Sequence, residues 1–126
     1  MADLVSASPP IAAPHILIVD DEADVRELIA EYLGANEMRV SAAASGDQMF
    51  AVLDREAIDL VLLDLRLPGE DGLELARHLR ERATLPIVLL TGRTEEADRV
   101  MGLELGADGR VAAISERVLE DIGGTD

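Results

Sequence analysis

Leu60-Val61-Leu62-Leu63-Asp64 is an aliphatic run closed by an acid. The same pattern occurs earlier, where His15-Ile16-Leu17-Ile18-Val19 runs into Asp20-Asp21-Glu22. Strands of uninterrupted Val, Ile and Leu belong to a parallel sheet covered on both faces. An acid is costly inside such a sheet and tolerated at its rim, and the carboxyl rim of an open α/β sheet is where ligands bind. Asp64, at the end of a central strand, therefore needs a partner or a metal. Three carboxylates converging on one rim repel one another unless a cation lies between them. Mg2+ suits that place, being a hard ion that takes carboxylate, carbonyl and water oxygens.

Working outward from these runs, short apolar stretches alternate with amphipathic ones. Strands are expected at 15–20, 38–43, 59–64, 86–91 and 109–113. Helices are expected at 23–34, 46–55, 71–83, 95–105 and 115–121. Asp24, Gly46, Asp71 and Thr94 lie where helices begin, and Gly34 and Gly106 where they end. Strict alternation of strand and helix implies right-handed crossovers and a parallel sheet, so the fold class is α/β, a doubly wound five-stranded sandwich. The weak strand from Met38 to Ala43 suits an edge. Residues 1–14, with Pro9, Pro10 and Pro14 among alanines and serines, read as a flexible leader. One domain is expected from residue 15 to about 122.

Composition narrows the function. A chain of 126 residues that is 48% hydrophobic builds one core of ordinary size. Tyr32 and Phe50 are its only aromatics, so the core is aliphatic and no stacking platform for nucleic-acid bases exists. A net charge of −15 repels nucleic-acid phosphates and anionic lipid. The absence of cysteine excludes disulfides and thiolate metal sites. No apolar run approaches the ~20 residues that span a bilayer, and the N-terminus lacks the basic start of a secretory signal. A cytoplasmic location is the expectation.

Three segments combine: Asp20-Asp21-Glu22, then Asp64-Leu65-Arg66-Leu67-Pro68-Gly69-Glu70-Asp71-Gly72, then Leu89-Leu90-Thr91-Gly92. If the first, third and fourth strands are neighbours, all of these groups meet at one rim. With the late Gly102-Leu103-Glu104-Leu105-Gly106-Ala107-Asp108 segment, the set closely resembles the receiver domain of bacterial two-component response regulators, over residues 15 to about 108. That resemblance implies the flavodoxin-like receiver fold with strand order 2-1-3-4-5. It implies that Asp64 is the phosphoacceptor, attacking the phosphorus of a phosphohistidine on a partner. Asp21 and Asp64 would hold Mg2+ directly and Asp20 through water, with the backbone carbonyl of Arg66 as a further ligand. Thr91 would offer its hydroxyl to a phosphoryl oxygen and re-bias the fourth-helix surface. The implied partner is a sensor histidine kinase or phosphotransfer protein, and the fourth-helix face is where such domains dimerise. Neither nucleic acid nor membrane is an expected partner of this domain.

Taken alone, Asp20-Asp21 reads as a loop entry with helix-capping acids, and Thr91 as an ordinary strand residue. His15 and His78 lack spaced companions and read as structural or surface residues. Met38, Met49 and Met101 read as core fillers. The segment 109–126 departs from the family. Its Lys falls on Ala113, the following Pro on Ile114, the aromatic switch on Arg110, and a common acid on Gly109. Arg93 or Arg110 could serve as the phosphate ligand in place of that Lys. A competing expectation is therefore a degenerate receiver that binds a partner independently of phosphate. A hydrolase working through an aspartyl phosphate would need a second acid two residues after the nucleophile, where Arg66 stands. A flavin carrier would need Ser, Thr or Gly where Asp20-Asp21-Glu22 stands.

Overall fold

The computed structural model describes residues 13–82, 84–91 and 111–115. Five strands, β1 (His15–Val19), β2 (Arg39–Ala43), β3 (Leu60–Asp64), β4 (Ile87–Thr91) and β5 (Val111–Ser115), form one sheet in the order β2-β1-β3-β4-β5. Every neighbouring pair is parallel. Three described helices, α1 (Ala23–Ala35), α2 (Gly46–Arg55) and α3 (Gly72–Arg82), follow β1, β2 and β3. The strand order implied by the resemblance and the edge position of the second strand hold. The leader to residue 12, the helices expected at 95–105 and 115–121, Arg93, Met101, Gly109 and Arg110 lie outside the described residues.

Continuous aliphatic strands are required because both faces of the sheet are covered. Leu17, Val19, Val61, Leu63 and Leu89 pack with Met49 and Val52 of α2 and Ala76 and Leu79 of α3. Ile18, Leu62 and Leu90, the alternate positions, pack on Ile29, Val25 and Leu33 of α1. Met49 is fully buried in the larger cluster, as a core filler should be. Arg82 lies 5.1 Å from the Phe50 ring centroid and pairs with Asp54, joining α3 to α2.

β5 begins and ends two residues later than its sequence suggests. Its pairing runs from Ile87↔Val111 to Thr91↔Ser115, so β4 and β5 reach the same rim. The weak Gly109-Arg110 start gives no signal for that boundary, whereas one-to-one pairing with β4 fixes it.

A second difference concerns the end of α1. Gly34 was the expected stop, yet the helix runs past it to Ala35. The stop is a Schellman motif: Met38 N–H donates to Leu33 O (3.1 Å) and Glu37 N–H to Gly34 O (3.0 Å). The residue forced into the left-handed region is Glu37, at φ 65°. Glycine thus stands one turn too early and a side chain stands where glycine is favoured. Gly34→Ala, whose new methyl meets nothing within 4 Å, should stabilise the protein by about 1 kcal/mol. Glu37→Gly should add several tenths to about 1 kcal/mol by relieving the left-handed strain. Urea denaturation measures both, and a loss of stability in either variant contradicts this account.

His15 begins β1 and is buried, while His78 is exposed on α3. The Ser41 hydroxyl donates to Glu56 Oε1 (2.6 Å), so the 2.7 Å contact of His15 with Ser41 is made by an Nε2–H. The Ser41 hydrogen bond, ahead of His15 and Arg55, holds the Glu56 carboxyl below the usual range. This cluster closes the amino end of the sheet and is structural.

Candidate metal and phosphoryl site

The opposite, carboxyl end of the sheet gathers the acids. Asp20 follows β1 directly and extends its pairing, with its N–H donating to Ala43 O at 3.0 Å. Asp64 is the last residue of β3, and Leu65 N–H continues the pairing to Leu90 O at 3.0 Å. Each acid is turned by its own loop: Asp20 Oδ1 accepts from Glu22 N–H and Asp64 Oδ1 from Arg66 N–H, both at 2.9 Å. Arg26 of α1 donates through Nη1 to the Asp20 carbonyl at 2.7 Å, fixing the turn from above. Carboxylate oxygens of Asp20, Asp21 and Asp64 all lie within 4.8 Å of one another.

Asp20 and Asp64 are 1% and 3% exposed, whereas Asp21 faces solvent. Burial is the main reason the Asp20 carboxyl is pushed up to about 6; the charges of Asp64, Asp21 and Glu22 add to it, and the Glu22 N–H opposes it. Such a group is short of positive charge. Three hard oxygen donors at this spacing, one of them resisting ionisation, fit a divalent cation of the Mg2+ type.

The loop behind Asp64 is built tightly. Leu67, Pro68, Gly69 and Glu70 form a type II turn, with Glu70 N–H donating to Leu67 O (3.2 Å) and Gly69 at φ 73°. Asp71 Oδ1 caps α3, accepting from Leu73 N–H (3.0 Å) and Glu74 N–H (3.3 Å). Gly72 lets α3 start against the backbone of Leu65, since a Cβ there would sit 2.6 Å from Leu65 Cα. Arg66 therefore leaves Asp64 on a held loop, its side chain exposed.

Thr91 ends β4 fully buried, one residue beyond Leu90, the register partner of Asp64. Of the expected site residues, Asp20, Asp21 and Asp64 come together, and Arg66 and Thr91 lie on the two segments that follow or flank Asp64. On β5, Ala113 stands opposite Leu89, and it is Ser115 that stands opposite Thr91. All eleven Lys or Arg residues are arginine, so no realignment of the tail supplies a lysine. Sequence reading missed two contributors. Arg26 carried no spacing signal. Glu70, whose carboxylate accepts from Gly46 N–H, was hidden because its contact joins distant segments.

Fold and site together define a doubly wound α/β domain with a cation-seeking acid pocket at the carboxyl edge of its sheet. The chain belongs to the response regulator receiver domain family, whose model matches residues 16–115. It is 47% identical over 100 residues to the transcriptional regulatory protein AruR of Pseudomonas aeruginosa, covering 75% of this chain and 41% of that protein. It is 45% identical over 94 residues to the TorCAD operon transcriptional regulatory protein TorR of Escherichia coli K12, with the same two coverages. The chain thus spans about two-fifths of the length of these curated relatives. Among solved structures, the receiver domain of the TMAO respiratory system response regulator TorR superposes with TM-score 0.71 at 37% identity, covering 90% of this chain and 99% of that one. The BeF3-activated N-terminal receiver domain of Klebsiella pneumoniae RstA gives 0.70 at 42% identity, covering 81% and 85%. The Thermotoga maritima response regulator TrrA in complex with Mg2+-BeF gives 0.66 at 28% identity, covering 86% and 96%. No described helix is long and apolar enough to cross a membrane.

Proposed function

We propose that this receiver domain takes up a phosphoryl group on Asp64 from a phosphohistidine of a partner histidine kinase or phosphotransfer protein. The convergence of Asp20, Asp21 and Asp64 at one rim, with Asp20 and Asp64 buried, carries the reading. An Asp64 carboxylate oxygen attacks phosphorus, the P–N bond breaks with its electron pair passing to the imidazole nitrogen, the ring leaves neutral because its other nitrogen already carries a proton, and an acyl phosphate forms. Asp21 and Asp64 would hold Mg2+ directly, Asp20 through water, and the Arg66 carbonyl would complete the protein's share. An ion held there would offset the charge of the acids and of the transferring phosphoryl oxygens. The Thr91 hydroxyl contacts a phosphoryl oxygen and carries the change toward the fourth-helix surface, which signals and supports a homodimer. The domain works as a cytoplasmic switch, not as a classical enzyme.

Two relatives support the reading. TrrA was solved with Mg2+ and beryllofluoride, a phosphoryl mimic, and RstA was activated by BeF3. One observation favours a second reading, a degenerate receiver that binds its partner without phosphate: the chain has no lysine to meet the phosphoryl charge. The deciding experiment is incubation with acetyl phosphate and Mg2+, followed by intact mass measurement. Gain of one phosphoryl group, lost on removing Mg2+, supports the first reading. A protein that never gains it, yet binds its kinase unchanged after Asp64→Ala, supports the second.

A further inference from the structure

Glu70 stands on the turn behind Asp64, apart from the acids that crowd the pocket. Both of its carboxylate oxygens accept from one backbone N–H, that of Gly46, at 3.1 and 3.2 Å. Gly46 is the first residue of α2, where the N–H has no partner inside its own helix and negative charge is favoured. The cap side chain there is already occupied, since Ser45 Oγ accepts from Gln48 N–H at 3.2 Å. A side chain at Gly46 would have to push the ends of two flexible side chains aside. A Cβ at Gly46 would lie 2.5 Å from Glu70 Oε1 and 2.7 Å from Leu75 Cδ2.

What this contact joins gives it a role. Gly46 is three residues beyond Ala43, whose carbonyl accepts from Asp20 N–H at 3.0 Å. Glu70 is four residues beyond Arg66, whose N–H holds the Asp64 carboxylate at 2.9 Å. Glu70 therefore ties the loop of one acid to the segment that anchors the other, across the rim where both meet. We infer that Glu70 is a positioning residue of the metal pocket: through Gly46 N–H it sets the separation of the Asp64 loop from the Asp20 strand, and so the affinity for the divalent ion. This rests on the proposed metal reading.

The test is calorimetric titration of Mg2+ into the full chain, as wild type, Glu70→Ala, Glu70→Gln, Gly46→Ala and the double variant Glu70→Ala/Gly46→Ala. Urea denaturation runs alongside. Glu70→Ala should weaken Mg2+ binding roughly tenfold, the low end of what outer partners contribute at metal sites. Glu70→Gln, whose amide oxygen still accepts from Gly46 N–H, should recover most of that loss. Gly46→Ala should match Glu70→Ala, because its methyl displaces the same carboxylate. The double variant should bind no worse than either single one. Wild-type affinity in Glu70→Ala, with only the denaturation midpoint lowered, overturns the inference and leaves the metal reading standing. Additive losses in the double variant overturn it as well. A wild-type chain that takes up no Mg2+ overturns the metal reading itself.

Discussion

Asp64→Asn should abolish phosphoryl uptake from acetyl phosphate while making the metal-free protein more stable. The two effects have one origin. Asparagine has the shape of aspartate, and its Oδ1 can accept the Arg66 N–H that now binds Asp64 at 2.9 Å, so the loop keeps its course. Its amide oxygen carries no full charge and is a poor nucleophile toward phosphorus, so the mass gain of one phosphoryl group disappears. The substitution also removes one of three carboxylates gathered within 4.8 Å. Relief of that repulsion should raise the stability of the metal-free chain near neutral pH by about 1 kcal/mol or more. The Asp20 carboxyl should titrate lower than about 6, because the Asp64 charge is one of the causes that raise it. It should stay above the ordinary range, because burial is the larger cause. Intact mass, thermal melting without Mg2+, and carboxyl-selective NMR read the three effects separately. Equal labelling of wild type and variant would move the nucleophile elsewhere. A variant that melts lower without metal would mean that the acids do not strain the fold.

The parts of this molecule that were legible in its sequence are those where burial acts on both faces at once. β1, β3 and β4 had to be aliphatic throughout, because α1 lies on one side of them and α2 and α3 on the other. An acid ending such a run then announces the rim, and the rims of β1 and β3 meet because those strands are neighbours. The type II turn at Leu67–Glu70 has a local cause as well, since Pro68 and Gly69 are what its backbone angles demand.

Illegible features depend on hydrogen bonds between backbone groups or between distant segments. The end of α1 follows from two bonds to the carbonyls of Leu33 and Gly34, and it places Glu37 in a conformation that its residue type argues against. Ser115 stands opposite Thr91 through strand pairing, whereas Ala113, where the family's Lys falls, stands opposite Leu89. No local pattern links Glu70 to Gly46. A glycine at the first position of a helix already capped by Ser45 was the one available sign, and it identifies a close approach without naming what approaches.

Mg2+ affinity should fall as pH drops below about 6, and the stability of the metal-free protein should change with pH in the opposite sense. Asp20 has a folded-state pKa near 6, raised from 3.8. Between those values the folded chain binds more of a proton than the unfolded one. The contribution of Asp20 to stability is therefore fully present below about pH 4 and is lost as pH rises through 6. The loss approaches at most about 3 kcal/mol, since each tenfold weakening of the acid on folding is worth about 1.4 kcal/mol. Removing the Asp64 charge should make the fall shallower. A bound divalent ion would reverse the preference, because on the proposed reading it would require the Asp20 carboxylate and compete with its proton. Calorimetric affinity should then be nearly flat from about pH 8 to 6.5 and weaken toward tenfold per pH unit below 6, the slope of one displaced proton. At an Mg2+ concentration a hundred times its dissociation constant, the gain in unfolding free energy near pH 7.5 is about 2.7 kcal/mol. The same Mg2+ concentration at about pH 5 should give roughly 1.4 kcal/mol less, since a tenfold loss of affinity is worth that much. Affinity indifferent to pH between 5 and 7 would show that Asp20 gives up no proton to the ion, and would remove it from the site.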